Sequence, residues 1–190
     1  VLFGMSDGND IICVVVGNWT IGQSSLIHTF AKGTFPEDYV PSFYEPFTLE
    51  KPSPENPEMT INFTIKDTGG RELYDQFRPE AYKDGDVFVL CFSIGDSNTL
   101  ENVVSKWAPG VKKYAPGKPF LLVGTKSDIR SDTEALAILE KQGEVPVTYS
   151  EGKEVSKAIG AIGYMECSAK TFKGVNEVFD KARLAARSFG

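Results

Sequence analysis

The sequence is poor in the residues that build disulfide frameworks and metal centres. It has 3 cysteines and 1 histidine among 190 residues, and no Cys-x-x-Cys pair occurs. A zinc centre needs about four such ligands, so none is expected. Cys13, Cys91 and Cys167 each lie within or beside an apolar stretch, which predicts buried, reduced thiols in a cytoplasmic protein.

Long apolar runs and an excess of positive charge are also missing. No run approaches the roughly 18 apolar residues that a membrane span needs. Lys+Arg 20 against Asp+Glu 26 gives a net charge of −6. Because a phosphate backbone binds to a basic face, no nucleic-acid partner is expected. The ends carry no secretory leader, lipidation cysteine or polybasic run, so we expect a cytoplasmic protein that reaches a membrane only through a C-terminal tail absent here.

Length and composition predict one domain. The chain has an ordinary single-domain length, and its hydrophobic content of 41% and charged content of 24% are globular values. Residues 1–4, ahead of Met5, are interpreted as an expression scar. Residues 5–190 are then the single domain.

Buried strands alternate with helical patterns along the chain. Asn98 and Glu101 resemble a capping box that begins a helix running through Trp107. The pattern predicts an α/β domain with a mostly parallel six-stranded sheet flanked by helices. The predicted strands are 11–16, 43–51, 59–66, 87–94, 120–123 and 163–167, and the other predicted helices are 24–32, 133–141, 151–159 and 175–187.

The loop after the first strand has the spacing of a phosphate-binding loop, Gly-x-x-x-x-Gly-Lys-[Ser/Thr]. Backbone N–H groups of such a loop and of the following helix cradle phosphate oxygens. Gln23 stands at the lysine position. The alternative is an ordinary turn between a strand and a helix. The candidate phosphate ligands are Asn18, Trp19, Thr20, Ile21, Gly22, Gln23, Ser24 and Ser25.

Three more polar segments follow predicted strands. Asp67 is followed by Thr68, Gly69 and Gly70, which suits a metal-associated carboxylate and an N–H aimed at a terminal phosphate. The alternative is a tight turn. The segment 125–128 ends in Asp128, which could accept both N–H groups on one edge of guanine, and its alternative is a surface Lys/Asp pair.

The segment 167–170, Cys-Ser-Ala-Lys, could offer N–H groups to the guanine O6, and its alternative is the N-cap of a loop. Ligands of parallel sheets bind beyond the carboxyl ends of the strands, where all four segments are predicted to lie.

These motifs in this order resemble the Ras-superfamily small GTPases, over Asp10 to Arg187, and the Rho family most closely. The segments 35–42 and 74–79 resemble Rho switch I and switch II. The segments 125–128 and 166–169 resemble the base-binding motifs, and about 130–145 resembles the helical insert of the Rho family.

The resemblance implies a GTP/GDP site with Mg²⁺. Ser24 and Ser42 would bind the metal directly and Asp67 through a water, while Tyr39 and Gly70 would join the loop around the phosphates. The implied partners are effector proteins and possible exchange factors or dissociation inhibitors at switch I and switch II. The implied guanine-binding residues are Phe35, Thr125, Lys126, Asp128, Ser168, Ala169 and Lys170.

Departures from the family concentrate on catalysis. Gln23 replaces the phosphate-loop lysine, Trp19 replaces a glycine, and Arg71 replaces the glutamine that orients the attacking water. We expect a GTP-binding switch with strongly impaired hydrolysis. The alternatives are a pseudo-GTPase scaffold, an ordinary cycling GTPase, and an Arg71 that acts as a built-in arginine finger.

Overall fold

The computed structural model describes residues 10–38 and 45–188. The strands within these ranges are β1 (Ile11–Gly17), β2 (Phe47–Pro52), β3 (Thr60–Asp67), β4 (Val87–Ser93), β5 (Phe120–Thr125) and β6 (Tyr164–Glu166). They form one sheet in the order β2-β3-β1-β4-β5-β6. Among these six, only β2 and β3 pair antiparallel, so the predicted mostly parallel sheet is confirmed.

Helices cover both faces of the sheet. The central strands β1, β4 and β5 are buried on both faces, as continuous apolar runs predict. Helices α1 and α7 pack in one core cluster, and α3, α4 and α6 contribute to the other. The helices are α1 (Gln23–Lys32), α2 (Arg78–Lys83), α3 (Ser97–Asn102), α4 (Ala108–Tyr114), α5 (Thr133–Lys141), α6 (Tyr149–Ile159) and α7 (Val175–Ser188).

The helix after β4 differs from the prediction. Asp96, rather than Asn98, caps α3, because its carboxylate accepts the Asn98 backbone N–H at 3.1 Å. The helical path also continues past Trp107, through a π-helical turn at Val103–Trp107 and into α4. Pro109 lies in the first turn of α4, directly after the π-helical turn. The predicted Asn98 capping box is therefore wrong.

A capping box does exist at α6. The Thr148 hydroxyl accepts the Glu151 N–H, and the Glu151 carboxylate accepts the Thr148 N–H at 2.7 Å. The helix begins at Tyr149, two residues before the predicted start. The short helix α2 was not predicted, and it follows a 3₁₀ segment at Glu72–Phe77.

The predicted helical insert contains α5. A 3₁₀ turn at Ser127–Ser131 precedes it, and the Asp132 carboxylate caps α5 by accepting the N–H groups of Glu134 and Ala135. Arg130 forms an ion pair with Glu166 on β6. This pair fastens the start of the insert to the edge of the sheet.

All three cysteines are buried and free, as predicted. Burial raises the pKa of Cys13 and Cys91 far above the ordinary thiol value and that of Cys167 to about 12. The thiols are therefore protonated and unreactive in the folded state. Within 10–38 and 45–188, no helix is both long and apolar enough to cross a membrane.

Candidate functional site

Two adjoining cavities lie beyond the carboxyl ends of the strands. One has a volume of about 280 Å³, the other about 170 Å³, and Gly22, Ser25 and Lys126 line both. The structure thus brings the predicted phosphate residues and base residues together. The larger cavity is also lined by Asn18, Trp19, Thr20, Gln23, Ser24, Asp38, Asp67 and Gly70. The smaller cavity is also lined by Leu26, Phe35, Thr125, Asp128, Ile129, Cys167, Ala169 and Lys170.

Gly22 is the N-cap residue of α1, at the end of the loop that follows β1. Its φ of 88° lies in the left-handed region, which glycine adopts without steric cost. Because Gly22 lacks a side chain and the first turn of α1 holds no acidic residue, the N–H groups of that turn face the cavity uncapped. The positive end of the helix suits an anion such as phosphate. Ile21, a candidate phosphate residue, has its side chain buried in the core below the loop.

Gln23 is turned into the protein. It is 6% exposed, and its amide nitrogen donates to the Val15 carbonyl at 2.9 Å and to Asp67 Oδ1 at 2.6 Å. Its Oε1 is buried and has no hydrogen-bond partner among the described residues. The residue at the lysine position is therefore neutral, and both amide hydrogens serve protein acceptors.

Ser24 and Asp67 form the candidate metal position. Ser24 Oγ donates to Asp67 Oδ2 at 2.6 Å, and Oδ1 of the same carboxylate accepts the Gly69 N–H at 3.1 Å. Hydroxyl and carboxylate oxygens are the hard ligands that Mg²⁺ takes, so the two side chains fit that ion. Within 10–38 and 45–188, no group of three or more His, Cys, Asp or Glu side chains could hold a metal. Ser42 and Tyr39, also predicted here, lie outside the described residues.

The segment 69–71, which leads into switch II, packs directly on the phosphate loop. A Cβ at Gly70 would overlap backbone atoms of Asn18 and Trp19, so only glycine fits this approach. The Arg71 guanidinium lies over the Trp19 ring, 4.6 Å from its centroid. Trp19 remains 49% exposed. Two of the three residues that depart from the family pattern thus contact each other.

Arg78 is a functional candidate that the sequence analysis missed. It is 6% exposed and donates to the carbonyls of Gly69 and Arg71, both at 2.8 Å. Its guanidinium also lies over the Trp107 ring, at 4.6 Å, and Trp107 Nε1 donates to Asn18 Oδ1 at 2.8 Å. Arg78 and Trp107 therefore connect switch II with the phosphate loop. Nothing in the local sequence distinguishes Arg78 from a solvated surface arginine.

At the base end, Asp128 is oriented by Ser168. Ser168 is fully buried, and its hydroxyl donates to Asp128 Oδ1 at 2.6 Å while accepting the Thr171 N–H at 3.1 Å. Phe35, 38% exposed, and Ala169 line the same cavity. These positions agree with a guanine held beside the Asp128 carboxylate.

Thr125 takes a structural position. Its hydroxyl is 2.5 Å from the Ile21 carbonyl and 2.9 Å from the Phe92 carbonyl, so it serves main-chain acceptors on the loop and on β4. It lines the base cavity while fastening the phosphate loop to the sheet.

Lys126 stands between the two cavities. Its φ of 58° is in the left-handed region, which is costly for a residue with a side chain and typical of functional sites. Its Nζ donates to the Thr20 carbonyl at 2.7 Å. Burial lowers the pKa of Lys126, and the nearby carboxylates of Asp128 and Asp96 act in the opposite direction.

Lys170 lies at the rim of the base cavity, exposed, with its ammonium 3.8 Å from the Asp132 carboxylate. It is therefore paired with the cap of the insert helix.

The comparisons with known proteins agree with this geometry. The sequence profile described as "Ras family" matches residues 12–187. The GTP-binding protein RHO1 of Candida albicans is 42% identical over 173 residues, which cover 91% of this chain and 86% of that protein. A parallel sheet with a phosphate loop and a second cavity at its carboxyl edge is the arrangement of a nucleotide-binding α/β protein. The chain belongs to the Ras family and is a Rho-like small GTPase.

Proposed function

We propose that this protein is a Rho-like switch that binds GTP and GDP with Mg²⁺ and hydrolyses GTP very slowly. The observation that carries the proposal is Gln23. The side chain at the position of the phosphate-facing lysine is neutral, buried, and hydrogen-bonded to Val15 and Asp67. The cavity around Asp128 thus carries the residues expected to bind guanine, while the adjoining phosphate cavity lacks the lysine expected at position 23.

Nucleotide binding is supported by the residues around Asp128 and by the uncapped start of α1. Ser24 and Asp67, together with Ser42, would hold Mg²⁺, which neutralises phosphate charge when bound. Loss of one charged hydrogen bond removes about 1.5–3 kcal/mol of binding free energy. Tight nucleotide binding in this family can absorb that loss.

Slow hydrolysis is supported by three side chains. Arg71 has hydrogen-bond donors only, so it cannot accept a hydrogen bond from the attacking water as a glutamine carbonyl can. Gln23 brings no positive charge to the phosphates in the transition state. Trp19 crowds the rim of the phosphate cavity, where an activating protein would insert an arginine.

Partner binding through switch I and switch II belongs to the same proposal. Phe77, 60% exposed at the end of the switch II 3₁₀ segment, offers an aromatic anchor for an effector.

Two measurements test the proposal. Denaturation of the purified protein should release guanine nucleotide, and a folded protein that neither contains nor binds any is instead a scaffold. Single-turnover hydrolysis should be slow in the parent and much faster in the combined variant Trp19→Gly, Gln23→Lys and Arg71→Gln. A fast parent that Arg71→Gln slows would establish the built-in arginine finger, and no gain in the combined variant would overturn our account of the defect.

A further inference from the structure

We infer that Arg71 is a GTP-selective phosphate ligand and that Trp19 is the positioning residue that holds its guanidinium at the cavity. The inference rests on the proposed function, because it presupposes that the site takes guanine nucleotides. It would supply the positive charge that position 23 lacks from a residue beside the cavity, next to Gly70 in the chain and stacked on Trp19, both of which line it.

The charged side chains that line the phosphate cavity are more often negative than positive, which favours a further cationic ligand for the nucleotide. Among the described residues, the charged side chains that line it are Asp38, Asp67 and Lys126. The Lys126 ammonium already donates to the Thr20 carbonyl, and Gln23 is neutral. A Mg²⁺-bound triphosphate is still an anion, so another cation is needed for its terminal phosphate.

The backbone of Arg71 is fixed beside the cavity. Gly70, its neighbour, lines the cavity and packs against the backbone of the phosphate loop. The buried Arg78 donates to the carbonyls of Gly69 and Arg71, both at 2.8 Å. These contacts hold the segment 69–71 in place from both sides, so Arg71 starts from a fixed point at the rim.

The side chain of Arg71 is held as well. Its guanidinium lies 4.6 Å from the centroid of the Trp19 ring, and Trp19 lines the phosphate cavity. A guanidinium stacked on an aromatic face keeps its N–H edge available for bidentate binding of an anion. Because part of its conformational freedom is already lost, binding phosphate costs less entropy.

This arrangement discriminates GTP from GDP. Gly70 is the residue whose N–H is expected to face the γ-phosphate, and Arg71 follows it directly. GDP has no γ-phosphate, so the contact with Arg71 is lost. The guanidinium cannot accept a hydrogen bond from water, and a contact that is equally strong in the ground state and the transition state raises affinity for GTP without accelerating hydrolysis.

The test measures affinities for GDP and for β,γ-imido-GTP by calorimetry, with Mg²⁺. In Arg71→Gln the ratio of analogue affinity to GDP affinity should fall at least tenfold. In Trp19→Leu it should fall at least threefold, and Trp19→Phe, which keeps an aromatic face, should retain the parent ratio. Combining Trp19→Leu with Arg71→Gln should add little to the loss in Arg71→Gln alone, because both act through one contact.

Lys157→Gln is the matched control, since it removes one positive charge from an exposed position on α6. Its affinity ratio should equal that of the parent. An unchanged ratio in Arg71→Gln, or an equal fall for GDP and the analogue, would overturn the inference while leaving the proposed function intact. A ratio that falls in Trp19→Leu only would also overturn it. Failure of the folded parent to bind either nucleotide would overturn the proposed function itself.

Discussion

Restoring the lysine of the phosphate loop should raise the affinity for GDP. In the parent, the Gln23 amide serves Val15 and Asp67 and carries no charge. A lysine at this position brings an ammonium to the phosphates. Because a hydrogen bond to a charged group contributes about 1.5–3 kcal/mol, Gln23→Lys should tighten GDP binding about tenfold to 150-fold.

The same substitution should leave the fold intact. The Val15 carbonyl keeps the Thr68 hydroxyl at 2.9 Å, and Asp67 Oδ1 keeps the Gly69 N–H at 3.1 Å. The buried Gln23 Oε1, which lacks a partner, disappears, and such an atom costs about 1–3 kcal/mol. We therefore expect the free energy of unfolding without nucleotide to change by less than about 2 kcal/mol.

Calorimetric titration with GDP and Mg²⁺, at low and moderate ionic strength, measures the effect. Gln142→Lys is the matched control, because it makes the same exchange at an exposed position at the end of α5. The control should bind GDP as the parent does. If folded Gln23→Lys binds GDP within twofold of the parent, the missing charge at position 23 is not what limits binding, and the reasoning fails.

Three further outcomes follow from the structure. Asp128→Ala should weaken GDP binding and flatten the preference for guanine over adenine nucleotides, measured by competition; an unchanged preference would mean that the base binds elsewhere. Burial alone would raise the pKa of Glu166, but hydrogen bonds from Arg130 and Tyr164 lower it overall. The ionised carboxylate therefore stabilises the fold fully at neutral pH, and this contribution to the free energy of unfolding is lost as the pH falls below about 4.3. Urea unfolding of Glu166→Gln should accordingly depend less on acid pH than the parent. Lys66 lies near the end of β3, 3.7 Å from Asp84, and its charge must be desolvated when a partner covers it. Lys66→Trp, which replaces that charge with an aromatic anchor, should therefore speed nucleotide exchange by Rho-family exchange factors at least tenfold, and equal rates would exclude Lys66 as a selectivity element.

The sequence was enough to predict the sheet and the place of the site. Continuous apolar runs such as β4 have no other stable position than the middle of a sheet, and the motifs that follow them must meet at its carboxyl edge. The start of the helix after β4 was harder to predict, because Asp96 and Asn98 are both residue types that suit an N-cap. Which of them caps the helix depends on the tertiary structure. A short helix such as α2 has too few residues for a clear periodic pattern.

Side-chain orientation could not be predicted in the same way. The sequence shows that Gln23 replaces a lysine, but its amide turns inward only because Val15 and Asp67 present acceptors there. The contact between Arg71 and Trp19 joins residues that are 52 positions apart in the chain. It depends on how the segment 69–71 lies on the phosphate loop. Such contacts arise from tertiary packing, which local patterns do not encode.

The three buried thiols can report how often the core of this protein opens. Cys13, Cys91 and Cys167 lie on or beside three different strands, so a thiol reagent can reach all of them only when the sheet opens. The rate at which they are modified therefore measures how often the core opens. A nucleotide that binds the folded state alone must slow that rate by the factor with which it stabilises the fold, so ligand binding can be measured by labelling the native cysteines, with no labelling site introduced.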